Sequence, residues 1–353
     1  MQVFKCDHCS QPVYFDNTHC LKCQNKLGFD ADQLKMVSMH LHEDGTLTES
    51  ISGKGYQYCS NQQYGVCNWV IPYENPDKFC IACSLNRIIP DLSKPEYLSR
   101  WKVIELAKHR LIYALLRWGF PIIPKSVDYE RGLAFNFKSD SAMPDGQRVM
   151  TGHANGLITM NIAEADDVER EMARNNMDEV YRTVLGHFRH EIGHYYWERL
   201  IEGTDILPKF RELYGDERYS YQEALNHYYK NGAPADWNQN YISAYATMHP
   251  WESWAETWAH YMHMVDTLET AYSYGLSIDP QIARKLEVKT AVIDQNAYFC
   301  KDFETIYQLW LPLTFTMNSL NRSMGAKDLY PFVINAKVKE KLKFIHEVIH
   351  GVS

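Results

Sequence analysis

Arg189-His190-Glu191-Ile192-Gly193-His194-Tyr195 carries two histidines four positions apart, with a glutamate directly after the first. On a helix, residues four apart share a face, so His190 and His194 can turn two imidazole nitrogens toward one metal ion. Zinc is the metal this His-Glu-x-x-His spacing serves, and Glu191 would stand beside it, able to take a proton from a bound water. The apolar residues Tyr181, Val184, Leu185, Phe188, Ile192, Tyr195 and Tyr196 recur around the pair at helical spacing. The segment is therefore expected to be an amphipathic helix.

A catalytic zinc takes three protein ligands and keeps a fourth position for water. An extension of the motif by Gly at 197 and His at 200 is ruled out, because those positions are Trp197 and Leu200. The best source of the third ligand is His249-Pro250-Trp251-Glu252-Ser253-Trp254-Ala255-Glu256-Thr257-Trp258-Ala259-His260. Glu252 and Glu256 lie four apart on one helical face, among tryptophans that argue against open solvent. Burying two carboxylates there is costly without partners, and a metal with its histidines supplies them. One assignment makes Glu252 the ligand and has Glu256 accept a hydrogen bond from a ligand imidazole. The other makes Glu256 the ligand, with His260 one turn on.

Eight of the nine cysteines fall in the first 83 residues. Cys6/Cys9, Cys20/Cys23 and Cys80/Cys83 are Cys-x-x-Cys pairs, and Cys59/Cys67 is looser. Two sets of four thiolates follow, Cys6, Cys9, Cys20, Cys23 and Cys59, Cys67, Cys80, Cys83, each expected to hold a structural tetrahedral zinc. Disulfides are the alternative. They are disfavoured because the N-terminus MQVFKCDHCS has no apolar signal region, which points to a reducing, cytoplasmic setting. Few large aliphatic residues occur here, so the metals would staple a segment that cannot build much core. Cys300 stands alone and reads as a buried small hydrophobe.

The remaining composition narrows the function. With 353 residues, about two domains and a small appendage are expected. Apolar residues make up 45% and charged residues 23%, which excludes wholesale disorder. The net charge of −8 argues against a nucleic-acid partner, whose phosphates call for Lys and Arg. No apolar run reaches the roughly 18 residues of a membrane span, and the best candidate, Leu111 to Ile123, is broken by Arg117 and Pro121.

The elements that must position these residues fall into three parts: a first four-cysteine zinc knuckle over 1–28, a second four-cysteine zinc-ribbon unit over 29–90, and a catalytic domain over 95–353. Trp101, Ile104, Ala107, Leu111, Ala114, Leu115 and Trp118 mark a helix from Pro95 to Trp118. Asn68 to Ile71, Gly132 to Phe137 and Gly156 to Ile162 read as strands, with Asn155-Gly156 a turn before the last. Val168 to Ile201 reads as helical with a break near Asn175/Asn176. Residues 203–240 read as polar, Tyr-rich and irregular. Pro250 can open a helix running to about Tyr274, and a final helix covers Ala336 to Ile349. The fold class expected is α+β: zinc ribbons followed by a mainly helical zincin-like domain with a small sheet.

His-Glu-x-x-His followed by Glu-x-x-x-Glu on a later helix resembles the gluzincin metallopeptidases. Glu252-Ser253-Trp254-Ala255-Glu256 is similar to the stretch of the branch that includes lethal-factor-like and Pro-Pro endopeptidases. That resemblance implies Glu252 as ligand and Tyr245, seven residues earlier, as donor to the oxyanion, with Tyr241 the substitute. Residues 195–251 form a longer spacer than gluzincins have, so the choice between Glu252 and Glu256 stays open. The whole chain resembles a bacterial family of zinc-binding metallopeptidases with an N-terminal zinc ribbon. The residues behind this are the leading cysteines, Gly152 to Gly156, Arg189 to Trp197, Trp251 to His260 and Asp328-Leu329-Tyr330-Pro331-Phe332.

The resemblance implies hydrolysis of a peptide or protein substrate with one catalytic and two structural Zn2+. In zincin folds an edge strand before the metal-binding helix pairs with extended substrate, so Asn155 and Gly156 either border that cleft or form a plain turn. Two other readings stand beside it: ribbons that bind a protein partner or nucleic acid with an inactive zincin part, and a zinc amidase acting on a modified peptide.

Overall fold

A computed structural model describes residues 1–143, 148–170, 183–280 and 290–351. The chain forms two compact units, Met1–Arg170 and Glu171–Ser353. Tyr181 and the break expected near Asn175/Asn176 lie outside the described residues.

In the first unit the Cys-x-x-Cys segments are tight turns. The N–H of Ser10 donates to Cys6 O, that of Gln24 to Cys20 O and that of Ser84 to Cys80 O, at 2.8, 2.9 and 2.9 Å. Ser10 and Gln24 both take φ near +60°, the same turn twice in the first knuckle. Strands β1 (Phe4–Lys5) and β2 (Pro12–Val13) pair across the first turn. Strands β3 (Lys26–Asp30), β4 (Lys35–Leu41), β5 (Leu47–Glu49), β6 (Gly55–Tyr58) and β7 (Trp69–Pro72) close a barrel around Val37, Met39, Leu47, Tyr56 and Val70. This all-β barrel is more regular than a bare ribbon, and closure leaves it without open strand edges.

Helix α1 (Pro95–Arg117) buries the expected stripe, with Trp101, Ile104 and Leu111 fully enclosed. Its Tyr113 packs edge-on against Phe15 and Phe29, at 5.4 and 5.9 Å between ring centres. The helix therefore shares a core with the cysteine-bearing segment. Strands β8 (Asn86–Ile88), β9 (Ala134–Lys138), β10 (Gly152–Ala154) and β11 (Leu157–Asn161) form a sheet in the order β10-β11-β9-β8. Only the β10–β11 pairing is antiparallel.

Among the described residues, the regular elements of the second unit are helices and the short pair β12 (Ser277–Ile278) and β13 (Ala291–Val292). Its centre is the packing of α2 (Val184–Leu200) on another helix that starts at Pro250. Residues 203–240 are not irregular throughout. They contain α3 (Leu207–Tyr214) and α4 (Tyr221–Asn231). Ser220 caps α4, its side chain accepting from the N–H of Glu223, the Ser-x-x-Glu arrangement of a capping box. The many tyrosines and polar residues of this stretch hide the helix in sequence. Helix α5 (Pro250–Ser273) opens at its proline, and His249 Nδ1 accepts from Trp251 N–H at 3.2 Å. Helices α6 (Phe303–Ser323), which tolerates Pro312 inside it, and α7 (Ala336–His350) complete the unit. Among the described residues no helix is long and apolar enough to cross a membrane.

At Gly193, α2 approaches α5 closely. A Cβ there would sit 3.0 Å from Ala255 Cα and 3.2 Å from Trp258 Cβ, and the Trp254 indole donates to Gly193 O at 2.8 Å. Gly193→Val is expected to overpack this contact and destabilise the unit by about 1–3 kcal/mol. Each kcal/mol would lower its Tm by roughly 2–4 °C, read by thermal denaturation.

Candidate functional site

Helix α2 starts at Thr183, whose hydroxyl accepts from Gly186 N–H at 2.9 Å. From that start the 3.6-residue period sets His190 and His194 on one face, and the two Nε2 atoms lie 3.2 Å apart. From α5, Glu252 brings Oε2 to 2.9 Å from His190 Nε2 and Oε1 to 3.4 Å from His194 Nε2. Two ligands at about 2.0–2.1 Å from one tetrahedral zinc lie about 3.3 Å apart. The three separations match that spacing.

Glu252 Oε2 is buried and, among the described residues, makes no hydrogen bond, although His190 Nε2 is 2.9 Å away. One ligand atom from each of His190, His194 and Glu252 lies within 4.8 Å of the others, close enough to share one ion. His190 turns its other nitrogen, Nδ1, to Glu256 Oε1 at 2.8 Å, and Ser243 Oγ donates to Glu256 Oε2 at 2.7 Å. This is the carboxylate–histidine arrangement that orients a ligand imidazole.

Electrostatics favour a cation at the common point. Burial alone would raise the carboxyls of Glu252 and Glu256. At Glu252 the charges and hydrogen bonds of His194 and His190 outweigh it and hold the group well below the usual carboxylate range. At Glu256, His190 also outweighs burial and lowers the carboxyl. Two anions thus converge on one imidazole, and the attraction they exert on a proton at its Nε2 they also exert on a metal ion there.

Glu191 follows His190 and is 5% exposed. Its Oε1 lies 3.4 Å from His187 Nε2, while its Oε2 is buried with no hydrogen-bond partner among the described residues. Burial pushes this carboxyl up, and His187, His190 and His194 together hold it below the ordinary value. His187 is thereby a neighbour of Glu191 and not one of the converging nitrogens.

Tyr245 sits on a 3-10 turn over Tyr245–Thr247, its ring centre 6.2 Å from that of His190. Burial and the charge of Glu252 push its hydroxyl far above the ordinary tyrosine range. Tyr241 lies instead under Lys341, whose Nζ is 4.2 Å from its ring centre. His260 is turned to Tyr330, Nδ1 to hydroxyl 2.8 Å, and packs on Phe332. That contact gives the Asp328 to Phe332 segment a place under the site. Sequence reasoning missed Tyr221, whose hydroxyl donates to Glu252 Oε1 at 2.9 Å.

Asn155 and Gly156, in the first unit, form the turn joining β10 to β11, with φ of 48° and 75°. His153 Nε2 accepts from Gly156 N–H at 2.8 Å. A Cβ on Gly156 would meet Gly132 O at 2.2 Å, so the turn itself requires the glycine.

The cysteines gather as the spacing predicts. Cys6 Sγ lies 3.7 Å from Cys23 Sγ, Cys9 Sγ 3.5 Å from Cys20 Sγ, and Cys67 Sγ 3.8 Å from Cys80 Sγ. Sulfurs at about 2.3 Å from one tetrahedral zinc lie about 3.8 Å apart. Each set of four has its ligand atoms within 4.8 Å of one another. All nine cysteines are free of disulfides. His8 packs edge-on with His40, and Cys300 is buried beside Asp302 O. The second set has neighbours that the spacing did not announce. His109 Nε2 is 3.7 Å from Cys83 Sγ, and buried Lys108 and Glu105 pair at 2.9 Å beside it. The Lys108 ammonium is attracted by both Glu105 and the Cys83 and Cys80 sulfurs, so it offsets negative charge at the cluster.

The chain is 41% identical, over its whole length and 96% of theirs, to uncharacterized proteins of Mycobacterium tuberculosis (strain H37Rv) and Mycobacterium bovis. No solved structure matches it significantly. Residues 3–94 match a zinc-ribbon domain family. Residues 97–348, which hold both α2 and α5, match the family described as "Putative zinc-binding metallo-peptidase". The chain therefore belongs to that zinc-binding metallo-peptidase family and carries the zinc ribbon at its N-terminus.

Proposed function

We propose that the protein is a zinc-dependent peptidase that hydrolyses peptide bonds of a peptide or protein substrate. The observation that carries this reading is Glu191. It is a buried carboxylate with one oxygen unpartnered among the described residues, next in sequence to His190, which converges with His194 and Glu252. Zinc held by those three side chains would supply Lewis acidity, making a water acidic near neutral pH and polarising a carbonyl.

Glu191 Oε2 accepts the proton of the attacking water and returns it to the leaving amine. Its depressed pKa keeps it ionised and ready for the first of these transfers. Tyr245, held protonated by burial and by Glu252, donates to the oxyanion that develops on the carbonyl. Tyr221 fixes the Glu252 carboxylate through its 2.9 Å hydrogen bond, and Glu256 fixes the His190 ring. The two four-cysteine sets hold structural zinc, which stabilises the N-terminal segment without an open position for chemistry.

Elemental analysis tests the metal part. The native protein is expected to carry about three zinc ions and His190→Ala about two, since only the open site loses a ligand. Incubation of the zinc-loaded protein with a peptide library tests the reaction. About two zinc ions in both proteins, together with an uncut library, would refute the reading.

A further inference from the structure

Beside the converging side chains lies a cavity of about 450 Å³. Tyr221 belongs to both places: it lines the cavity, and its hydroxyl donates to Glu252 Oε1 at 2.9 Å. Trp251 lines it from the position before Glu252. Trp197 lines it from α2, three residues after His194 and so on the same helical face. The cavity is thus joined to the converging side chains through Tyr221.

Its wall is aromatic. The ring centres of Trp197 and Trp251 are 5.4 Å apart, and those of Tyr221 and Trp251 are 6.3 Å apart. Leu207, the first residue of α3, adds aliphatic surface, and Tyr219 is 72% exposed. The two arginines along the wall are already matched. Arg211 is held at two points by Glu217, with Nε to Oε2 at 2.9 Å, and Arg218 is held at two points by Asp216, at 2.8 and 2.6 Å. Both guanidinium groups have committed the paired donors that would clasp a carboxylate, and Glu202 adds negative charge to the lining. An anion is disfavoured there. A flat, uncharged ring packs against indole and phenol faces and gains from edge-to-face or stacked contacts.

We propose that this cavity receives a bulky aromatic side chain of the substrate, from a residue next to the bond that is cut. The proposal rests on the peptidase reading, and the test separates the two. The zinc-loaded full chain and its Leu207→Trp variant, which fills the cavity from one wall, are given the same peptide library. Leu207→Phe serves as a milder filling, and zinc content and Tm confirm folding of each.

Cleavage next to Phe, Tyr or Trp is expected in the native protein. The preference over Ala in kcat/KM is expected to fall at least about ten-fold in the filled variants, while peptides with Ala there are cut as before. In parallel, binding of N-acetyl-phenylalaninamide and N-acetyl-alaninamide is followed by saturation-transfer NMR, with a signal expected only for the aromatic amide and lost on filling. Cleavage without an aromatic preference, or a preference unmoved by filling, overturns the cavity assignment and leaves the peptidase reading standing. An uncut library with the aromatic amide still bound, and displaced by Leu207→Trp, overturns the peptidase reading while upholding the cavity as an aromatic site. An uncut library with no amide binding overturns both.

Discussion

Glu191→Gln is expected to lower kcat/KM by at least about a hundred-fold on any peptide the protein cleaves, the lower end of what a positioned general base contributes. The zinc count should not change. The substitution keeps shape and volume at a position that is 5% exposed, and it leaves His190, His194 and Glu252 untouched. It removes what Oε2 offers, a basic lone pair with no hydrogen bond among the described residues. The amide can still contact His187 but cannot carry a proton from water to a leaving amine. Turnover assays paired with elemental analysis check both halves. A variant that turns over at the native rate with full zinc would take catalysis away from Glu191. The ribbon-centred reading, in which this half of the chain is inactive, would then become the better one.

Much of this site was legible because two of its parts are periodic. His190 and His194 repeat every four residues inside an apolar stripe, and the cysteines repeat as Cys-x-x-Cys, so helix face and turn follow from local geometry alone. What spacing could not decide was Glu252 against Glu256. Both sit on one face of α5 four residues apart, and sequence is silent on which reaches Nε2 and which reaches Nδ1 of the same imidazole. Only the packing of α2 on α5, with Gly193 allowing the close approach, resolves the two.

Tyr221 escaped for a related reason. Its partner is 31 residues away, and in sequence it is one tyrosine among many in a polar stretch. The capping signal of Ser220 and Glu223 was readable and would have placed α4. The orientation of the Tyr221 hydroxyl was not. Helix α6 was hidden by Pro312, which reads as a breaker although the surrounding packing carries the helix through it.

The separation of the two glutamates sets the second expected result. Glu252→Ala should lose one zinc per chain, as His190→Ala does, because a three-ligand site reduced to two imidazoles falls below the ligand number a catalytic zinc keeps. Glu256→Ala should keep three at saturating metal and bind the labile one about 10–100-fold more weakly, the usual cost of removing a carboxylate that orients a ligand histidine. The asymmetry follows from where each carboxylate points. Glu252 contributes both oxygens toward the two Nε2 atoms, at 2.9 and 3.4 Å, and nothing else on α5 can replace it there. Glu256 acts on the far side of the His190 ring, where Ser243 also holds it. Without Glu256 the imidazole is free to rotate, yet its Nε2 remains a ligand. Competition of each variant against a chelator of known zinc affinity reads the difference directly. The reverse order, with Glu256→Ala emptying the site and Glu252→Ala retaining metal, would exchange the two roles and bring His260 back as the candidate third nitrogen.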